Sequence, residues 1–174
     1  MSLPIIDEEG NKRWYTNGDL PAIEYADGDK LWYKNGVLHR DGDLPAKELS
    51  NSTKVWYKNE VLHRDEDDFP ALDMANGHRE WWIWGNLHRD GALPAIIHHT
   101  GDREWYQNGK LHREGDLPAI EYADGSKYWC RGGELHRDND LPAIEASDGT
   151  LAWYLNGIEY IPQKVFRWTR EPFV

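Results

Sequence analysis

The side chains with the most evident chemistry are eight histidines and a set of short acidic stretches. Five of the histidines, His39, His63, His88, His112 and His136, each stand inside a Leu-His-Arg triplet. Histidine in such numbers raises the question of zinc, whose ligands must converge on one ion at about 2 Å. These five instead fall one per sequence unit. On equivalent strands of a two-strand unit they lie roughly 9–10 Å apart, twice the strand spacing. That is too far for two imidazoles to share an ion, so they are expected to stack or hydrogen-bond beside the aromatic residues. His98 and His99 are neighbours, and neighbours on a strand face opposite ways, which makes them a poor chelating pair.

The acidic stretches are Asp41 and Asp43, Asp65-Glu66-Asp67-Asp68, Glu114 and Asp116, and Asp138 and Asp140. Calcium would need six to eight oxygens around one point, and one short loop per unit rarely supplies them. They are expected to be solvated turn carboxylates that together make an acidic edge suited to a basic partner. Cys130 has no second cysteine for a disulfide or a thiolate cluster. It takes the place of a recurrent Tyr and is expected to be a small buried filler. No Ser-His-Asp set, phosphate-binding loop or dinucleotide glycine motif stands out, and every recurrent polar group recurs with the repeat. No catalytic residue, metal site or cofactor is therefore expected.

The ten Trp and nine Tyr, against three Phe, are a second possible site. Aromatic ladders stack sugars or choline-like cations, but one Trp per unit is more simply the packing layer of a sheet. One place departs from the pattern. Trp81 is followed by Trp82, Ile83 and Trp84, where unit two has Tyr33, Lys34 and Asn35. Extra apolar area of this kind marks a contact surface. With the neighbouring Asp65, Glu66, Asp67 and Asp68, the Trp81, Trp82, Ile83 and Trp84 group is the candidate interaction patch, for a basic protein or for self-association.

The elements that hold these residues follow from self-similarity. Trp recurs at 14, 32, 56, 81, 105, 129 and 153. A Pro-Ala pair begins at Pro21, Pro45, Pro70, Pro94, Pro118 and Pro142, each eleven residues before the next of these Trp. The two intervals that differ from 24 both arise in the segment after the His-Arg position, which is thus a loop that tolerates length change. Asp27-Gly28, Asn76-Gly77, Asp124-Gly125 and Asp148-Gly149, like Asn35-Gly36, Asn108-Gly109 and Asn156-Gly157, are two-residue turn signals of type I′. With both turns of this type, Ile23 lies opposite Trp32, and Trp32 opposite His39. An Ile-Trp-His row then forms one face. Ala-Tyr-Leu forms the other, with Glu24, Leu31 and Arg40 as a further row on the Tyr side, where Glu and Arg pair across strands. The fold class is all-β: an elongated antiparallel meander of about seven hairpin repeats over residues 1–161. The tail 162–174, with Val165, Phe166, Trp168 and Phe173, is expected to cap the last edge.

Trp32-Tyr33-Lys34-Asn35-Gly36, Trp56-Tyr57-Lys58-Asn59 and Trp105-Tyr106-Gln107-Asn108-Gly109 resemble MORN-type repeats of the W-Y-x-N-G variant form. The added Leu-His-Arg and Leu-Pro-Ala marks resemble arrays abundant in large DNA viruses of amoebae, Marseillevirus-like. The resemblance implies twisted hairpin sheets used for scaffolding and protein contact, and no catalytic residues. A weaker similarity joins the same strand to aromatic hairpin repeats that bind choline or glucans.

A formal net charge of −11 disfavours a general binder of nucleic acid or anionic membrane. No stretch approaches the ~18–20 apolar residues of a membrane span, and the start lacks a basic, then apolar, leader. The expectation is an intracellular protein, in host cytoplasm, nucleus or virion if viral, that binds protein without catalysis. The alternative is carbohydrate or choline-like ligand binding on the Trp and Tyr ladders; a hydrolase is the least favoured class.

Overall fold

A computed structural model describes residues 3–14, 20–65 and 68–162. The described chain is all-β, made of 25 short antiparallel strands and no helix. Fifteen of the strands form one sheet in chain order, from Ile5–Ile6 to Ile158–Tyr160. Five two-stranded hairpins stand beside it, beginning with Tyr33–Lys34 and Val37–Leu38. Each full unit thus gives two strands to the long sheet and two to a hairpin of its own. The 162–174 tail lies outside the described residues, apart from Pro162.

The repeat Trp is the corner between the two tiers. Trp32 donates its N–H to the Ala46 carbonyl in the long sheet, at 2.9 Å, while its own carbonyl accepts the His39 N–H of the hairpin, at 3.1 Å. The same pair of bonds holds Trp56, Trp81, Trp105 and Trp129. The last unit has no such corner: Leu151–Leu155 runs straight through Trp153, and Tyr160 stands opposite it where a His would be.

The two turns differ. Asn35 and Gly36 both take positive φ, 53° and 81°, and Tyr33 pairs with Leu38, as a two-residue type I′ turn requires. At Asp27-Gly28 only the glycine does, at 99°, and the turn is a three-residue loop closed by Gly28 N–H to the Tyr25 carbonyl and Tyr25 N–H to the Asp29 carbonyl. This type I turn with a glycine bulge slips the register by one residue, so Ile23 pairs with Leu31 and not with Trp32. The aspartate explains the choice: its carboxylate accepts the Asp29 N–H at 3.0 Å, and Asn51, Asn76, Asp124 and Asp148 make the same bond. The Ile-Trp-His face expected from two identical turns therefore does not form.

The core is one residue thick. Ala46, Ala71, Ala95, Ala119 and Ala143 have no exposed surface, and five Trp from Trp32 to Trp129 are 4–8 % exposed. No large side chain among the described residues is fully enclosed. The chain exposes 11359 Å², against about 8,800 Å² for a compact protein of its mass. Each buried alanine accepts, at its carbonyl, the backbone N–H of the Trp of the preceding unit and has no exposed surface into which a larger side chain could extend. Ala95→Leu is expected to lower stability by about 1–3 kcal/mol through overpacking, measured by urea denaturation, whereas the exposed Leu93→Ala changes it by less than about 0.5 kcal/mol. Fifteen strands at ~4.8 Å make a sheet about 67 Å long, so small-angle scattering is expected to give a radius of gyration near 20 Å, above the about 16 Å of a compact chain of this length.

Candidate interaction site

The residues of the Leu-His-Arg triplets are the joints of the array. His39 Nδ1 accepts the backbone N–H of Asn59, in the turn of the next hairpin, at 3.2 Å. Its Nε2 bonds the Asp41 carboxylate at 2.9 Å. A nitrogen that accepts an N–H carries no proton, so the proton sits on Nε2 and is donated to the aspartate. His63, His88 and His136 repeat both contacts. A further bond ties consecutive hairpins, from the second turn residue to the preceding Leu, as in Gly85 N–H to the Leu62 carbonyl at 3.0 Å.

The arginine of each triplet lies flat on the Trp of its own unit. The guanidinium carbon is 3.8 Å from the ring centre for Arg40 on Trp32, and 3.7 Å for Arg137 on Trp129. Nη1 of Arg137 then donates to the Pro142 carbonyl at 3.0 Å and to Glu145 at 2.7 Å. Glu–Arg pairing across strands therefore exists, but Arg40 reaches Glu48 of the next unit rather than Glu24. The other edge of the fork is taken by a loop carboxylate of the preceding unit: Arg64 grips Asp43 at 2.8 and 2.6 Å, and Arg137 grips Asp116 at 2.9 and 3.2 Å. The turn carboxylates are largely exposed, as expected, and are bonded as well. The first acid of each loop holds its own His, and in these two cases the second holds the next unit's Arg.

Among the described residues no group of three or more His, Cys, Asp or Glu converges as a metal would need. Burial pushes the Cys130 thiol up to about 11, so it is not a thiolate at neutral pH. Burial and the Glu104 carboxylate raise the Tyr106 hydroxyl, which donates to Glu104 at 2.8 Å. The recurrent Trp rings are nearly enclosed, and each from Trp32 to Trp129 has a guanidinium on one face.

The aromatic cluster divides into three roles. Trp81 is a core residue, 5 % exposed. Trp82 is half-buried and its indole N–H donates to Glu80 at 2.6 Å, the bond that Tyr106 makes to Glu104. Trp84 is exposed and stands at a hairpin turn with φ 47°, where Asn35 and Asn108 stand in other units. Its ring stacks on His63 at 4.2 Å with 18° between planes, and Lys58 Nζ lies 5.3 Å from its centre. Lys58 and His63 both bond Asp65, at 2.8 Å each. Trp84 and Asp65 thus meet in one surface group through His63 and Lys58. Ile83 is half-buried in the strand behind it and Asp68 is exposed in the loop, while Glu66 and Asp67 fall outside the described residues.

A second surface feature carries no mark in the sequence beyond its place before Pro. Leu44, Phe69, Leu93, Leu117 and Leu141 are all exposed, 37–50 %, once per unit. The Leu-Pro-Ala signature announces the buried alanine but not that its Leu faces water.

No protein-family model matches this chain, and no curated protein matches its sequence.

Hydrogen bonds from Lys58 and then His63 hold the Asp65 carboxyl below the usual aspartate range; Lys34 and His39 do the same for Asp41, and Arg131 and His136 for Asp138. A depressed folded value means that the stability from these groups is complete above the unfolded value of about 3.9 and is lost as pH falls through the lower folded value. Asp65→Asn is expected to lower the urea midpoint at pH 6, with the difference from the parent closing below about pH 3.9. His39→Ala leaves the Asn59 N–H without its acceptor and is expected to cost about 1–3 kcal/mol in the same assay.

Proposed function

We propose that this chain is a non-catalytic repeat module of MORN type that works by contact with protein, as a scaffold or through self-association. The observation that carries the reading is Trp84. A bulky residue at positive φ is conformationally costly, and this one also leaves its indole 53 % exposed. Asn35, Asn59, Asn108 and Asn156, or Gly132, stand there in the other hairpins at less conformational cost, so the reward for Trp84 beyond its stack on His63 lies outside the fold. Trp commonly anchors interfaces at ~2 kcal/mol or more. The Lys58–Asp65–His63 group beside it supplies a polar rim, and the exposed Leu row extends apolar area along the array. The net charge of −11 favours a basic partner.

The resemblance to viral arrays motivates the further reading of an intracellular, viral scaffold protein. Among the described residues no helix is long and apolar enough to cross a membrane. The carbohydrate or choline-like alternative rests on open Trp faces, and among the described residues Trp84 is the one exposed tryptophan.

The test is a pair of single variants. Trp82→Tyr keeps a donor to Glu80 and is expected to leave both fold and partner capture unchanged. Trp84→Asn restores the turn consensus. It is expected to keep the circular dichroism spectrum, hold or raise the melting temperature, and abolish self-association in sedimentation or capture of a basic partner. Intact association in the Trp84→Asn variant would contradict the proposal.

A further inference from the structure

The units differ at one joint. In two of them the Nε and Nη2 edge of the triplet arginine is filled by a carboxylate 21 residues upstream, Asp43 for Arg64 and Asp116 for Arg137. For Arg113 the residue at that distance is Ala92. Ala92 also leaves the left-handed backbone that Asp43 and Asp116 share at φ 52°. Arg113 keeps everything else: the Trp105 ring at 3.7 Å, the Pro118 carbonyl at 3.2 Å and Glu121 at 2.8 Å, both bonds through Nη1. Its Nε is buried with no partner among the described residues.

The neighbouring arginine is stripped in a different way. Arg40, Arg113 and Arg137 each bond a Glu eight residues on, and for Arg89 that residue is Ile97. Arg89 donates to the Pro94 carbonyl at 3.2 Å, its Nε is buried without a partner, and no described carboxylate lies within ion-pair distance. Burial pushes its pKa down. Arg89 and Arg113 line the same recess, of about 310 Å³, together with Trp105, Tyr106 and Leu117. A buried N–H with no acceptor costs about 1–3 kcal/mol, and more when charged. Here the two arginines that carry such groups line one open space.

We propose that this recess is a carboxylate-binding site, in which a ligand carboxylate takes the edge of Arg113 that Asp43 and Asp116 fill on Arg64 and Arg137. Fork-to-fork pairing of guanidinium with carboxylate is the geometry the other units already use. The apolar wall of Trp105 and Leu117 suits the body of an acidic residue or a chain terminus. Glu114 stands at the rim with its carboxylate bonded to His112 Nε2 at 3.0 Å, and sets a repulsion that a ligand must overcome. The site goes beyond the contact surface at Trp84 and does not depend on it.

The test follows the arginine Nε–H resonances of the full chain by NMR during titration with three probes: N-acetyl-aspartate N-methylamide, N-acetylglycine and inorganic phosphate. With a carboxylate probe the Arg113 signal is expected to move saturably, while Arg64 and Arg137, already paired, stay still. A response to the aspartate probe assigns the site to side chains, and a response to N-acetylglycine assigns it to chain termini. Ala92→Asp is expected to shift the Arg113 signal without ligand and to weaken the probe by about tenfold or more. Arg113→Lys keeps the charge, removes the fork and is expected to weaken it similarly. Glu114→Gln is expected to tighten it. No saturable shift, equal shifts at Arg64 and Arg137, a response to phosphate alone, or undiminished binding in both Ala92→Asp and Arg113→Lys would overturn the proposal.

Discussion

The five repeats from Trp32 to Trp129 each depend on a guanidinium lying on an indole. The Trp turns the chain from the long sheet into its hairpin, and a corner residue with a large ring would be left half wet in a sheet one layer thick. The Arg of the same unit covers it at 3.7–4.0 Å. Arginine suits this place because its planar fork is weakly hydrated and stacks, while its edges still donate five N–H bonds. At Arg137 those edges reach the Pro142 carbonyl that leads into the buried Ala143, Glu145 of the next unit, and the loop carboxylate of Asp116 in the preceding unit. One side chain therefore seals the core and joins three units.

A sheet of two-residue strands has little cohesion of its own, since a thin layer buries little apolar area relative to its ordering cost. Its second tier is tied along the axis by polar joints, the His-to-turn bond and the Leu carbonyl bond. This gives near-neighbour coupling of the kind expected of repeat arrays. It also means that a change in one loop acts locally. The loop that is one residue longer, ending at Asp68, is followed by the unit whose Trp81 indole N–H has no partner among the described residues, although Trp56, Trp105, Trp129 and Trp153 each donate to the loop carbonyl thirteen residues upstream. Both proposed sites fall on the same stretch: Trp84 at a turn, Ala92 in the following loop.

Period, all-β class and the Asn-Gly turns are legible from residue types alone, because Asn followed by Gly satisfies two consecutive positive φ angles. The Asp-Gly turns are not, since a glycine at positive φ serves both the two-residue and the three-residue loop. The deciding bond, from the Asp carboxylate back to the N–H two residues on, shows only in three dimensions. That single slip moves Ile23 from Trp32 to Leu31, while His39 keeps its place opposite Trp32. In the aromatic cluster, Trp81, Trp82 and Trp84 look alike as a run, yet a corner, a strand and a turn give them burial, a Glu80 bond and exposure respectively. The pairing of Asp65 with Lys58 and His63, and of loop acids with arginines one unit later, depends on separations of up to 21 residues that only the assembled array brings together.

The account rests on energetic coupling between adjacent units through the arginine joint. A double-mutant cycle on Asp116→Asn and Arg137→Lys, followed by urea denaturation of the full chain, measures it directly and cancels the other contacts of Arg137. The account predicts a coupling energy of about 1–2 kcal/mol for this bidentate, largely buried guanidinium, so that the double variant costs less than the sum of the two single variants by that amount. Additive single effects, with a coupling within about 0.3 kcal/mol of zero, would mean that the units are held by their backbone ladder alone and would contradict it.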